Sequence, residues 1–145
     1  MATNAQYTKN ARQASVAIST ANTNRDGTGT MTIVWTAPAF VDATNPGGSR
    51  IERIIIQATG TTTAGMVRLF VSSDATANSA ANTFLYEEIP VTAATPSTTV
   101  QAYAVALQAV TYQTLFPIMI GPGCTLRVST ANAESFVVTA MGGDY

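Results

Sequence analysis

The sequence predicts an all-β chain: a single-domain β-sandwich, jelly-roll-like, with about eight strands and an extended N-terminal arm. Three observations predict it. Short apolar stretches rich in β-branched residues recur along the chain, separated by clusters of Gly, Pro, Asn and Asp. Side chains within those stretches alternate with a period of two, the period of a half-buried strand. The length of 145 residues suits one domain that buries a core without disulfides or metals. A barrel is the alternative closure, and the absence of a long internal repeat argues against solenoids and propellers.

The stretch that organises the rest is Arg50 to Asp74. In Ile51–Ala58, Ile54, Ile56 and Ala58 share one face and Arg53, Ile55 and Gln57 the other. In Met66–Val71, Val67, Leu69 and Val71 alternate with Met66, Arg68 and Phe70. With the polar Thr59–Gly65 between them, the two runs predict a central β-hairpin.

Residues 1–13 form the arm and 14–145 the sandwich. Met1–Arg12 has no sustained apolar period. Ala14–Thr20 alternates weakly as a first strand, and Ala21–Gly29 is turn chemistry with Asp26-Gly27 its strongest signal. Thr30–Trp35 is a second strand with Met31, Ile33 and Trp35 on one face, and the proline- and glycine-rich Ala37–Ser49 is a long loop. Beyond the hairpin, Ser72–Asn82 reads as a surface loop or one helical turn. Thr83–Pro90 reads as a strand that Pro90 confines to an edge or an end. Thr99–Leu107 alternates, with Tyr103, Val105 and Leu107 on one face, although its alanines also suit a helix. Gly121-Pro122-Gly123 is a break. Cys124–Thr130 and Ser135–Met141 follow as strands, and the tight connection Ala131–Glu134 predicts that they pair as a hairpin.

Composition narrows function. Only 10% of residues are charged, against roughly 25% in ordinary soluble proteins, while Ala and Thr make up about a third. Such a surface fits either a Thr-rich exterior or a protein that works assembled, because a charge-poor exterior promotes association. The net charge of -1 and the single lysine offer no basic footprint, so no nucleic-acid partner is expected. No apolar run is long enough for a membrane helix, the N-terminus lacks the apolar core of a signal peptide, and the expected site of synthesis is a cytoplasm.

Chemistry is excluded by what is missing. With no histidine and one cysteine, the histidine triads, histidine zinc sets and thiolate metal sites all fall away. Cys124 is read as a small core thiol. Asn22, Asn24, Asp26 and Gly27 match the first half of a calcium loop, but Ile33 stands where the closing glutamate belongs, so local Asx turns explain the pattern. Glu87 and Glu88 are adjacent on a strand and point to opposite faces, which rules them out as a dyad. One of them is expected to pair with an arginine such as Arg53 or Arg68 on a neighbouring strand. No enzyme activity, cofactor or metal is expected.

The blocks R-I-E-R-I-I-I-Q-A-T-G-T-T-T-A-G-M-V-R-L-F-V (50–71), I-P-V-T-A-A-T-P-S-T-T-V (89–100) and L-R-V-S-T-A-N-A-E-S-F-V-V-T-A-M-G-G-D-Y (126–145) carry a resemblance. The chain resembles a family of small β-rich tailed-bacteriophage virion proteins, some of which cement or decorate the capsid. That likeness implies a virion structural protein on the capsid exterior, made in the bacterial host cytoplasm. Its implied partners are the major capsid protein and itself, as a homotrimer seated where three shell subunits meet. The arm around Tyr7, Lys9 and Arg12 and the loop around Phe40, Asn45, Pro46 and Gly48 are the expected contacts, so deleting Met1–Arg12 should abolish capsid binding and spare the fold. The competing expectations are a receptor- or glycan-binding domain of a tail spike or fibre and a head–tail connector component.

Overall fold

The computed structural model describes residues 8–108 and 116–145, and all of its regular structure is strand. The strands are β1 (Asn10–Ile18), β2 (Thr32–Thr36), β3 (Ser49–Ala58), β4 (Gly65–Ser72), β5 (Thr83–Val91), β6 (Ala104–Gln108), β7 (Ile118–Ile120), β8 (Thr125–Thr130) and β9 (Phe136–Asp144). They form two antiparallel sheets. One has the order β1-β9-β3-β6, with β7 continuing beyond β6 along β3, and the other the order β2-β8-β4-β5. The pairs therefore nest: β1 with β9, β2 with β8, β3 with β6 and β7, β4 with β5. This nested winding over two packed sheets is that of a jelly roll, as the sequence predicts.

Neither predicted hairpin forms. β3 and β4 lie in different sheets, and so do β8 and β9. The reason is loop length and burial on two sides. A two-residue turn forces adjacent strands to pair, whereas residues 59–64 and 131–135 are long enough to cross the roughly 10 Å between stacked sheets. The crossing lets Ile54 and Ile56 of β3 face Val67 and Leu69 of β4 across the core, all fully buried.

The inward rows follow the predicted alternation on β3, β4 and β6, where Leu107 is buried. β2 departs from it. Its register on β8 slips between Ile33 and Trp35, so Val34 is an extra residue and Trp35 turns inward instead of following Met31 and Ile33. Both Val34 and Trp35 end up buried. β1 starts at Asn10, before the predicted boundary, and β9 runs past the predicted strand end at Met141 to Asp144. The last predicted arm residues are thus sheet. Tyr7 and the residues before it lie outside the described residues.

On the other face of β4 and β8, Arg68, Phe70 and Arg127 are buried under the chain's own loops. Arg127 Nη2 donates to the carbonyl oxygens of Asp74 (2.9 Å) and Ala77 (3.2 Å), and Arg68 Nη1 donates to that of Asn22 (3.1 Å). Asn78 Nδ2 ties these loops together through the carbonyl of Gly27 at 3.0 Å. Arg68 also pairs with Glu88 at 2.7 Å, which realises the predicted strand-to-strand ion pair, and Arg25 reaches the same Glu88 oxygen at 2.8 Å.

These contacts set the pH response. The Arg68 hydrogen bond, helped by Arg25, holds the Glu88 carboxyl below its ordinary value. Asp26, Asp42 and Asp74 are lowered by the hydrogen bonds of their own turns, from Thr28, Asn45 and Ala77 foremost. Groups lowered in the folded state stabilise it above the ordinary carboxylate range, and the gain is lost as pH falls through the depressed values. Unfolding midpoints in urea should stay level between about pH 6 and 8, since the chain has no histidine, and fall progressively below about pH 5. A step near neutrality would contradict this.

Candidate functional site

One end of the sandwich gathers the residues the sequence singles out. It is built from the start of β1, the β2–β3 loop (residues 37–48), β7 and the end of β9. The loop doubles back at Gly47 and Gly48, with φ of +70° and +86°, a region open to glycine without strain. A Cβ on Gly47 would also lie 2.6 Å from the Pro38 and Ala39 carbonyl oxygens. Pro38 O accepts from Gly48 N (2.9 Å) and Gly123 N (3.1 Å), which anchors both ends of the loop to the β7–β8 turn. At the tip, Asp42 Oδ1 accepts from Thr44 N (2.8 Å) and Asn45 N (2.9 Å), and Asn45 is consumed in that turn. Held by this turn, Phe40 and Val41 stand out at 63% and 71% exposure.

Lys9 and Arg12 reach the same end, but Arg12 belongs to the fold. Its guanidinium donates to Thr36 O at 2.8 Å, pairs with Asp144 at 3.3 Å and lies 4.1 Å over the Trp35 ring. The nearly buried Asp144 in turn accepts from Ser49 Oγ at 2.5 Å. Lys9 Nζ donates to Thr44 O and so links β1 to the loop. Deleting residues through Arg12 would therefore remove the start of β1 and the Asp144 ion pair; a truncation that spares the fold must stop at Tyr7.

Beside the loop lies an open, mostly apolar depression of about 400 Å³ lined by Pro46, Gly47, Met119, Pro122 and Tyr145. Met119 is 59% exposed, and the Tyr145 hydroxyl approaches its sulfur at 3.5 Å. Phe40, Asn45, Pro46 and Gly48 thus lie on one anchored loop, but Gly48 is buried and Asn45 is bonded to Asp42, which leaves Phe40 and Pro46 at the surface of the loop end. Val41, Met119, Pro122 and Tyr145 are additions. Met119 had a signal: in Ile118-Met119-Ile120, alternation turns the methionine away from the two isoleucines.

A second, polar cleft of about 110 Å³ lies between the end of β1 and the start of β2, walled by Ser19, Thr20, Thr30 and Ser129. It has room for a few waters, and the buried Ser129 hydroxyl has no protein partner there. The calcium-like loop is closed by its own bonds. Asn22 Oδ1 accepts from Asn24 N at 3.0 Å, and Asp26 Oδ1 takes Thr28 N at 3.0 Å and its hydroxyl at 2.6 Å. Among the described residues no cluster of His, Cys, Asp or Glu could hold a metal ion, and no helix is long and apolar enough to cross a membrane.

Comparison with known proteins returns no family model, no curated relative and no solved structure that matches the chain. The loop end thus sets an exposed apolar tip and an apolar hollow on one hydrogen-bonded loop.

Proposed function

We propose that the chain is a structural protein of a tailed-bacteriophage virion, a cement or decoration protein that binds the head shell as an oligomer and stabilises it without catalysis. The observation that carries this reading is the projecting Phe40–Val41 tip beside the Met119–Tyr145 hollow. Large apolar side chains held outward by a capped turn are what an interface core uses, and burying them excludes water from the contact. Three further features support it. The exterior is poor in charge, the chain has no histidine, and jelly rolls recur in viral capsid proteins; the last is an analogy of fold. The homotrimer remains the symmetric state that suits a position where three shell subunits meet, and its weak contacts would add through effective concentration.

The first test is binding to purified capsids by co-sedimentation. Phe40→Ser with Val41→Ser should weaken binding about 100-fold, the loss of a hot-spot pair, while leaving the thermal midpoint unchanged because both residues are exposed. Undiminished binding would remove the loop end from the account. A glycan-binding reading is favoured by the same hollow, since Tyr145 at its rim could stack on a sugar. In a glycan array it predicts a signal that Tyr145→Ala abolishes.

A further inference from the structure

Every open sheet offers two edges, and a free edge is a row of unpaired N–H and C=O groups that another strand can take up. Three of the four edges here are blunted. β2 is five residues long and bulged at Val34. β5 carries Glu87, Glu88 and Pro90, and its register on β4 slips between Leu69 and Phe70. The far edge beside β3 is split between β6, five residues, and β7, three residues. β1 has none of these devices. It is nine residues long, free of proline, and paired with β9 in one unbroken register from Asn10↔Asp144 to Ile18↔Phe136. Its single charged side chain, Arg12, is neutralised within the chain by Asp144. Among the described residues, nothing pairs with its outer edge.

The registers say which groups face outward. Thr59 N donates to Ser135 O and Tyr145 N donates to Gly48 O, so the odd-numbered residues of β9 bond towards β3. Its even-numbered residues then bond towards β1, and through the Ala14↔Ala140 register the even-numbered residues of β1 answer them. Ala11, Gln13, Ser15 and Ala17 are left with their N–H and C=O groups turned out of the sheet, and all four are exposed.

From this we infer that the outer edge of β1 is a self-association edge, which pairs antiparallel with β1 of a second copy of this chain about a two-fold axis at Ala14. That register is the one in which all four outward residues find partners: Ala11 opposite Ala17 and Gln13 opposite Ser15 of the other copy, with Ala14 opposite itself. The side chains meeting across the axis are small or hydrogen-bonding. Arg12 falls opposite Val16 and not opposite its own copy, so no like charges are juxtaposed. A two-fold contact is isologous, needs one surface only, and closes. It joins two five-stranded sheets into one continuous sheet. The inference does not depend on shell binding, and it is compatible with a trimer, whose mass it would double.

The test is the mass of the native protein in solution, by sedimentation velocity over a concentration range, with residue-resolved amide exchange. The expected result is an even number of chains, with the Ala11, Gln13, Ser15 and Ala17 amides protected in the assembled form. Ser15→Pro removes one outward N–H, a change edge strands tolerate, and should halve the mass with the fold retained. Should that variant unfold, Gln13→Lys with Ser15→Lys sets lysines opposite each other across the axis and should halve the mass through repulsion. A wild-type chain that stays monomeric, an odd-numbered assembly, or a mass that survives the folded variants would each overturn the inference.

Discussion

Replacing Gly142 with alanine is expected to be among the most damaging single-methyl changes this chain can suffer. β9 passes β3 there at the point where β3 carries an extra residue, Glu52, between Ile51 and Arg53. A Cβ on Gly142 would lie 2.1 Å from Arg50 O and 2.9 Å from Ile51 Cα. Both obstacles are backbone of the central strand, which is held by β9 on one side and by β6 and β7 on the other, so neither can yield cheaply. Forcing atoms into a packed site costs roughly 1–3 kcal/mol and occasionally more; with backbone as the obstacle we expect the upper end, about 3 kcal/mol. In a domain of this size that lowers Tm by about 10 °C. Gly60→Ala is the control: nothing lies within 4 Å of the position its methyl would take. Differential scanning calorimetry of the two variants decides the matter, and equal midpoints would mean that the close approach of Gly142 to Arg50 and Ile51 carries no weight.

The second large effect concerns the ion pair under the loops. Arg68 is nearly inaccessible, at 3% exposure, and its guanidinium is answered by Glu88 and by the Asn22 carbonyl. Glu88→Leu would leave that charge buried with one neutral acceptor, an arrangement that costs about 3 kcal/mol. Arg68→Met should cost much less, because Glu88 is partly solvated and keeps Arg25. Urea unfolding should therefore rank Glu88→Leu well below Arg68→Met in stability. The reverse order would show that Arg68 serves mainly through the burial of its side chain and that its charge matters little.

Much of the fold was legible from residues alone. Ile54, Ile56 and Ala58 were assigned to one face by alternation, and they line the core because a strand with one buried face must repeat every second residue. Pro90 confined its strand to an edge or an end because it has no N–H to give a neighbour, and β5 is an edge strand. The loop containing Pro46, Gly47 and Gly48 was legible because turn chemistry is local.

Pairing was not legible. Nothing in Thr59–Ala64 or Ala131–Ser135 states whether the chain turns back beside itself or crosses to the other sheet, since both routes satisfy the same alternation. The choice depends on which neighbour fills the opposite face, and that is a property of all the strands at once. The same holds for Arg12, read as a free arm residue until Trp35, Thr36 and Asp144 are seen around it. Arg127 is similar: its burial needs the loop between β4 and β5 to supply acceptors from Asp74, Ala77 and Asn78. Most strand positions, their facing outside the β2 bulge, and the turns are short-range consequences of side-chain shape and backbone geometry, and the sequence by itself determined them. Sheet membership, the placing of Met119 and Tyr145 beside Pro46, and the exposure of the β1 edge arise from contacts between residues far apart in the chain, so only the tertiary structure decided them.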